Sequence, residues 1–222
     1  MVRKGLLWNA IILAAMGVLA VVTVSALPGG EAIPVHFGPD GQPDRYGSRA
    51  EVVLAFAVLL GTTALVAGLL AVLPSILPKA DKVAQFERVY LTVWLGTTVF
   101  MALVTAWVAS AFLTGEAAHP KLLLLGIPLL IVWLGNLMPK MRPNWIMGVR
   151  TPWTLTSDEA WLRTHRVTGR AMVGCGLLGA VGVVFSTVPW AIGYAVASGL
   201  LPLLFGVGYS YFAWREAGDR RE

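Results

Sequence analysis

Residues 171–214 read AMVGCGLLGAVGVVFSTVPWAIGYAVASGLLPLLFGVGYSYFAW, a run of 44 positions without one Asp, Glu, Lys or Arg. A helix needs roughly 20 apolar residues to cross the hydrocarbon core of a bilayer, so this run holds two spans. Pro189-Trp190 lies in its middle and marks a tight turn between spans at 168–187 and 191–213. Upstream, Gly5 to Gly30, Val52 to Pro78, Val89 to Gly115 and Leu122 to Pro139 are also free of formal charge. Each holds one span, drawn at 5–27, 51–73, 90–113 and 121–138. Unpaired backbone groups are not tolerated in lipid, and the blocks lack strict alternation, so helices are expected rather than a barrel. The fold class is therefore all-α, a polytopic membrane protein of about six transmembrane helices. Composition agrees: 13% of the 222 residues are charged and mean hydropathy is +0.72, whereas a soluble domain carries about 25% charge. The first block could be a secretory signal cut near Val24-Ser25-Ala26. Its apolar core is longer than the usual 7–15 residues, which favours a retained anchor.

Basic residues set the orientation. With six spans, 14 of the 17 Lys and Arg fall on one side, and the other side receives Arg45, Arg49 and Lys121. The positive-inside rule places both termini in the cytoplasm. Residues 1–222 read as a single membrane domain, with an extracellular loop at 28–50 and a large cytoplasmic loop at 139–167. A net charge of +5 fits loops beside anionic lipid and needs no nucleic acid. The lone cysteine, Cys175, reads as a small packing residue, and no Cys/His spacing for a metal is present. Pro74 and Pro78, then Pro139 and Pro143, punctuate two helix ends with basic residues nearby, a weak internal echo.

Two polar segments stand out. In the outside loop, Ile33 to Phe37 is extended and apolar, biased from helix by Pro34, and Pro39-Asp40-Gly41 reads as a tight turn. A short hairpin is expected, presenting Pro34, His36, Phe37, Asp40, Asp44, Arg45 and Tyr46 as a candidate ligand surface. His36, Asp40 and Asp44 could surround a cation, but anchoring of the loop is the favoured reading and no metal or other cofactor is expected. Inside, the segment from Trp145 to Leu155 holds Gly148 and Pro152 and should be irregular. Thr156-Ser-Asp-Glu159 then fits a capping box that starts a helix continuing into the fifth span. On that helix Arg163, Arg166 and Arg170 form a basic stripe, beside a face with Trp161 and His165. An interfacial belt on anionic lipid accounts for much of this composition. It accounts less well for the clustering of Asn136, Asn144, Gly148, Arg150, Thr151, Pro152 and Trp153.

The run from Gly135-Asn136 through Pro143-Asn144, Gly148, Arg150-Thr151-Pro152-Trp153-Thr154-Leu155, then Trp161 and Thr164-His165-Arg166, resembles the signature of the SdpI-like membrane proteins. The stretch Ile33-Pro34-Val35-His36-Phe37, with Gly41 to Asp44 and Tyr46-Gly47-Ser48, is similar to that family's N-terminal module. The resemblance implies a multi-pass bacterial inner-membrane protein giving immunity to the sporulation-delaying toxin, a secreted peptide. It further implies a receptor that recruits a cytoplasmic transcriptional repressor, with no enzymatic activity. On that basis the outer loop would meet a peptide. The inner residues Asn136, Pro143, Asn144, Gly148, Arg150, Thr151, Pro152, Trp153, Thr154, Trp161, His165 and Arg166 would meet a partner or lipid. The alternatives are a transporter, disfavoured because the charge-free blocks hold no acidic or basic residue for coupling, a headgroup enzyme using His165 with Asp158 or Glu159, and a lipid-binding envelope-stress protein without a cognate toxin.

Overall fold

The computed structural model describes residues 2–27, 33–38, 40, 42–76, 87–115 and 120–219. Among them the order is α1 (Val2–Ala26), β1 (Ile33–Phe37), β2 (Pro43–Gly47), α2 (Arg49–Ile76), α3 (Glu87–Thr114), α4 (Pro120–Leu137), α5 (Pro152–Thr156), α6 (Asp158–Phe185) and α7 (Val188–Arg215). A 3₁₀ turn, Met138–Lys140, follows α4. All helices but α5 are long and apolar enough to cross a membrane, with mean hydropathies of 1.6 to 2.4. The chain is a helical polytopic membrane protein with six such helices among the described residues. A 28-residue helix such as α6 extends about 42 Å, so it spans the hydrocarbon and projects a few turns beyond it. Lys79, Lys82, Arg220 and Arg221, four of the charges behind the expected orientation, lie outside the described residues, as do Pro39, Gly41 and Pro78.

Two helix boundaries differ from expectation. Helix α2 runs through Pro74 to Ile76, so this proline does not stop it. Pro74 gives up one backbone bond and crowds the carbonyl four residues back, but with the helix ending at Ile76 the disturbance is confined to its last turns. Between α6 and α7 the break is Ser186-Thr187, and Pro189 lies in the first turn of α7. The first turn has no intrahelical partner for its N–H groups, so proline starts this helix instead of separating two.

The described residues form two compact units, Met1–Ala71 with Thr92–Leu123, and Val72–Leu91 with Leu124–Glu222. In the first, Ala20, Leu27, Ile33, Val52, Phe56, Ala109 and Phe112 share one core, with Phe56 edge-on to Phe112 at 5.8 Å. Strand β1 therefore enters the core through Ile33. Buried Asn9 ties α1 to α3: its Nδ2 donates to Gly5 O at 2.8 Å, and its Oδ1 accepts from the Thr98 hydroxyl. Thr62, Thr63, Val66, Thr97, Thr98 and Met101 line a cavity of about 70 Å³. Thr63 and Thr97 turn their hydroxyls back onto carbonyls of their own helices, Leu59 O and Val93 O.

In the second unit, α6 packs against α7 and α4. Lipid supplies no hydrophobic drive between helices, so close approach at small residues supplies the packing energy instead. Gly135 of α4 and Gly169 of α6 meet backbone to backbone: a Cβ on Gly169 would lie 2.7 Å from Gly135 O, and one on Gly135 2.8 Å from Gly169 O. Val183, Ala191 and Ala195 form a second contact, with Leu124 and Leu125 against them. The glycine contact brings the start of the 139–157 connection onto the side of α6.

Candidate functional site

The connection from α4 to α6 is closed by polar side chains. Asn144 is buried; its Nδ2 donates to Arg142 O at 2.8 Å, and its Oδ1 accepts from the N–H groups of Ile146 and Met147 at 2.7 and 2.9 Å. This turn leads to Gly148, whose φ of 111° favours glycine, and where any Cβ would strike His165 Nε2. The next N–H, of Val149, donates to His165 Nε2 at 3.1 Å. Because an amide can only donate, Nε2 is the acceptor. The ring's other nitrogen, Nδ1, carries the proton and donates to Trp161 O at 2.9 Å. His165 is therefore neutral, fixed in one tautomer, and stacked on Trp161 at 4.0 Å between centroids. Trp161 in turn donates from Nε1 to Met141 O at 3.0 Å. One turn of α6 thus holds the connection at both Met141 and Val149.

Thr151 and Thr154 close the next section. Thr154 N donates to Thr151 Oγ1 at 3.3 Å, Thr151 N donates to Thr154 Oγ1 at 3.0 Å, and Pro152 opens α5 between them. The Thr151 hydroxyl also donates to Ser210 Oγ of α7 at 3.0 Å, and Trp153 packs edge-on against Tyr211 at 5.2 Å. The predicted capping box at Thr156 and Glu159 is not formed. Thr156 is still helical in α5, so Ser157, with extended backbone, caps α6 by accepting from Ala160 N at 2.9 Å. Glu159 instead pairs with Arg163 at 2.5 Å and accepts from Gly218 N at 2.9 Å. The segment following α7 reaches the same helix start. Asp219 accepts from the Ser157 hydroxyl and from the N–H groups of Asp158 and Glu159 at 3.0 and 3.2 Å. The Ser157 hydroxyl, then the two backbone donors, hold the Asp219 carboxyl below its usual range against a desolvation effect of opposite sign.

Of the predicted inner residues, Asn144, Thr151, Thr154, Trp161 and His165 are buried and hold the connection together, so they present no surface to a partner. Headgroup acid–base work by His165 fails on the same ground, since both ring nitrogens are occupied. Asn136, Gly148, Arg150, Pro152 and Arg166 are exposed, and Pro143 and Trp153 are half-buried. Arg150 donates to Trp145 O at 2.8 Å. Met141, Val149, Ser157, Ser210 and Asp219 take part without having been singled out. Ser157-Asp-Glu carried a readable cap signal, whereas the roles of Ser210 and Asp219 depend on the tertiary fold.

The predicted hairpin is present in the first unit. Strands β1 and β2 pair antiparallel, with Pro34 opposite Tyr46 and His36 opposite Arg45. His36 Nδ1 and Asp44 Oδ1 lie 2.5 Å apart, and Arg45 pairs with Glu51 at 2.6 Å. Asp40 does not join them; its Oδ1 accepts from Gln42 N at 3.1 Å. No set of three His, Cys, Asp or Glu able to hold a metal occurs among the described residues. His36, Asp40, Asp44, Arg45 and Tyr46 are exposed, while Pro34 and Phe37 are half-buried.

These features define a multi-pass helical membrane protein in which one interhelical connection is folded into a hydrogen-bonded clasp. The SdpI/YfhL protein family matches residues 140–210, the clasp and the two helices beyond it. A domain of unknown function, DUF1648, matches residues 11–61, including the hairpin. The Immunity protein SdpI of Bacillus subtilis is 30% identical over 97 residues, 44% of this chain and 46% of that protein. An uncharacterized protein of Archaeoglobus fulgidus is 44% identical over 50 residues, 22% of this chain and 26% of that protein. The chain thus spans less than half the length of the curated relatives it matches. No solved structure matches. Over the clasp and the two helices beyond it the chain is similar to the SdpI/YfhL family, and with its six long apolar helices this supports a multi-pass protein of the bacterial cell membrane.

Proposed function

We propose that this chain is an immunity-type receptor: its outer hairpin meets a secreted peptide toxin, and the exposed part of the clasp meets a cytoplasmic partner of the transcriptional-repressor kind. The observation that carries the reading is the similarity to the Bacillus subtilis immunity protein, together with the family match over the clasp. Both termini and residues 139–167 face the cytoplasm in this proposal, supported by the bias of basic residues. The hairpin offers exposed Tyr46, Arg45, His36 and Asp44, a mixed polar and aromatic surface suited to a peptide. On the inner side the available contacts are Asn136, Gly148, Arg150, Pro152 and Arg166. Transmission between the faces requires an element with two states whose balance the ligand biases. The test is survival of a sensitive bacterium expressing the chain when challenged with the sporulation-delaying peptide. Protection relative to empty vector is expected; equal killing at matched expression overturns the proposal.

A further inference from the structure

The face of α6 that carries the arginine stripe also carries the exposed residues Leu177 and Val181, at 53% and 56% exposure. Helical spacing puts Arg166, Arg170, Leu177 and Val181 within one sector of the helix. The packed sectors differ: Thr164 and Thr168 are buried toward α7, where a Cβ on Gly206 would meet Thr168, and Gly169 faces Gly135 of α4. Leu177 lies seven residues from Arg170, about 10 Å along the axis. The sector is therefore apolar and lipid-facing over its inner turns, and cationic where the helix leaves the hydrocarbon.

The three arginines are not equivalent. Arg163 is neutralised by Glu159 at 2.5 Å and Glu216 at 3.5 Å. Arg166 and Arg170 are exposed and take part in none of the ion pairs found among the described residues. Nearby carboxylates are committed elsewhere: Glu159 to Arg163 and Gly218 N, and Asp219 to the start of α6. Two guanidinium groups one turn apart, with an apolar helix face continuing below them, match a phosphate that enters from the bilayer with its acyl chains attached.

We propose that Arg166 and Arg170 form a binding site for the phosphate of an anionic phospholipid, whose acyl chains lie along Leu177 and Val181. The site needs no toxin or protein partner, so it stands or falls apart from the immunity reading. The experiment is native mass spectrometry of the purified full chain with phosphatidylglycerol, with phosphatidylcholine, and with inorganic phosphate alone. Helical content in zwitterionic lipid serves as the folding control. Phosphatidylglycerol adducts are expected on the wild type and on Arg163→Gln. Affinity should fall roughly 30-fold in the Arg166→Gln/Arg170→Gln double variant, about 2 kcal/mol at 1.4 kcal/mol per decade. Arg166→Lys/Arg170→Lys should bind between the two, because it keeps the charge and loses the planar fork. Equal binding of wild type and glutamine double variant overturns the proposal. So does equal retention of phosphatidylcholine, or occupancy by inorganic phosphate at the same concentration. A double variant that keeps its lipid but loses a copurifying protein would reassign the stripe to protein docking.

Discussion

Gly148→Ala adds one methyl group at the point where the clasp closes. Two costs follow from the geometry. At φ 111° an alanine occupies a sparsely populated backbone region, worth about 1–3 kcal/mol. Its Cβ would also strike His165 Nε2, so the ring must move and the buried Val149 N–H loses its acceptor, worth about 1–3 kcal/mol. Part of the strain and the lost bond are relieved by the same movement, so about 3 kcal/mol is the expected total. For a protein of this size that corresponds to a fall in melting temperature of roughly 6–12 °C. Gly174→Ala is the control: it lies in the same helix α6 with nothing within 4 Å of a new Cβ, and helix propensity makes it neutral or slightly stabilising. Thermal unfolding in nanodiscs gives the first readout, and hydrogen exchange at the Val149 amide gives the second. If Gly148→Ala melts within about 2 °C of wild type with that amide still protected, the clasp is not closed through His165 and the reasoning fails.

Three further outcomes are expected. Because the Asp219 carboxyl is held below its usual value, the stability it contributes is present above the unfolded-state value of about 3.9 and is lost as pH falls through the lower folded value; exchange at residues 216–219 should therefore accelerate only in strong acid, and Asp219→Asn should remove that pH dependence. Thr98→Val removes the bond between α3 and α1 and should cost about 0.6 kcal/mol, at most about 1.7, measured by thermal unfolding in detergent. Gly169→Val forces α4 from α6 and should destabilise by about 1–3 kcal/mol, read as faster exchange along residues 138–149.

The spans were legible because lipid leaves the sequence few choices: a block of 20 or more uncharged apolar residues has one economical structure. Helix α6 was legible further, since its basic stripe and first-turn acids keep helical spacing beyond the hydrocarbon. The cap was misplaced by one residue, because Thr156 carries the Thr-x-x-Glu pattern while Ser157, with Ala160 three residues on, offers only a capping hydroxyl. What decides between them is α5, which keeps Thr156 helical. Polarity was a poor guide to exposure in the motif: Asn144, Thr154 and His165 are polar because the clasp needs internal hydrogen bonds. The contact of His165 with Val149 spans 16 residues, and that of Asp219 with Asp158 spans 61. Neither leaves a local pattern, because each depends on where the intervening helices fold. In the hairpin, the extended apolar run Ile33 to Phe37 and the bias from helix set by Pro34 were sufficient to place β1, whereas Pro39 and Gly41 of the expected turn lie outside the described residues.

The claim at the centre of this account is that the outer hairpin receives a peptide toxin. It is tested most directly by placing a photo-crosslinking residue at Tyr46, which is exposed on β2, and another at Arg166, then irradiating living cells with the labelled sporulation-delaying peptide. The account predicts a peptide adduct at position 46 and none at 166. Protected cells that yield no adduct at position 46, or an equal adduct at 166, would contradict it.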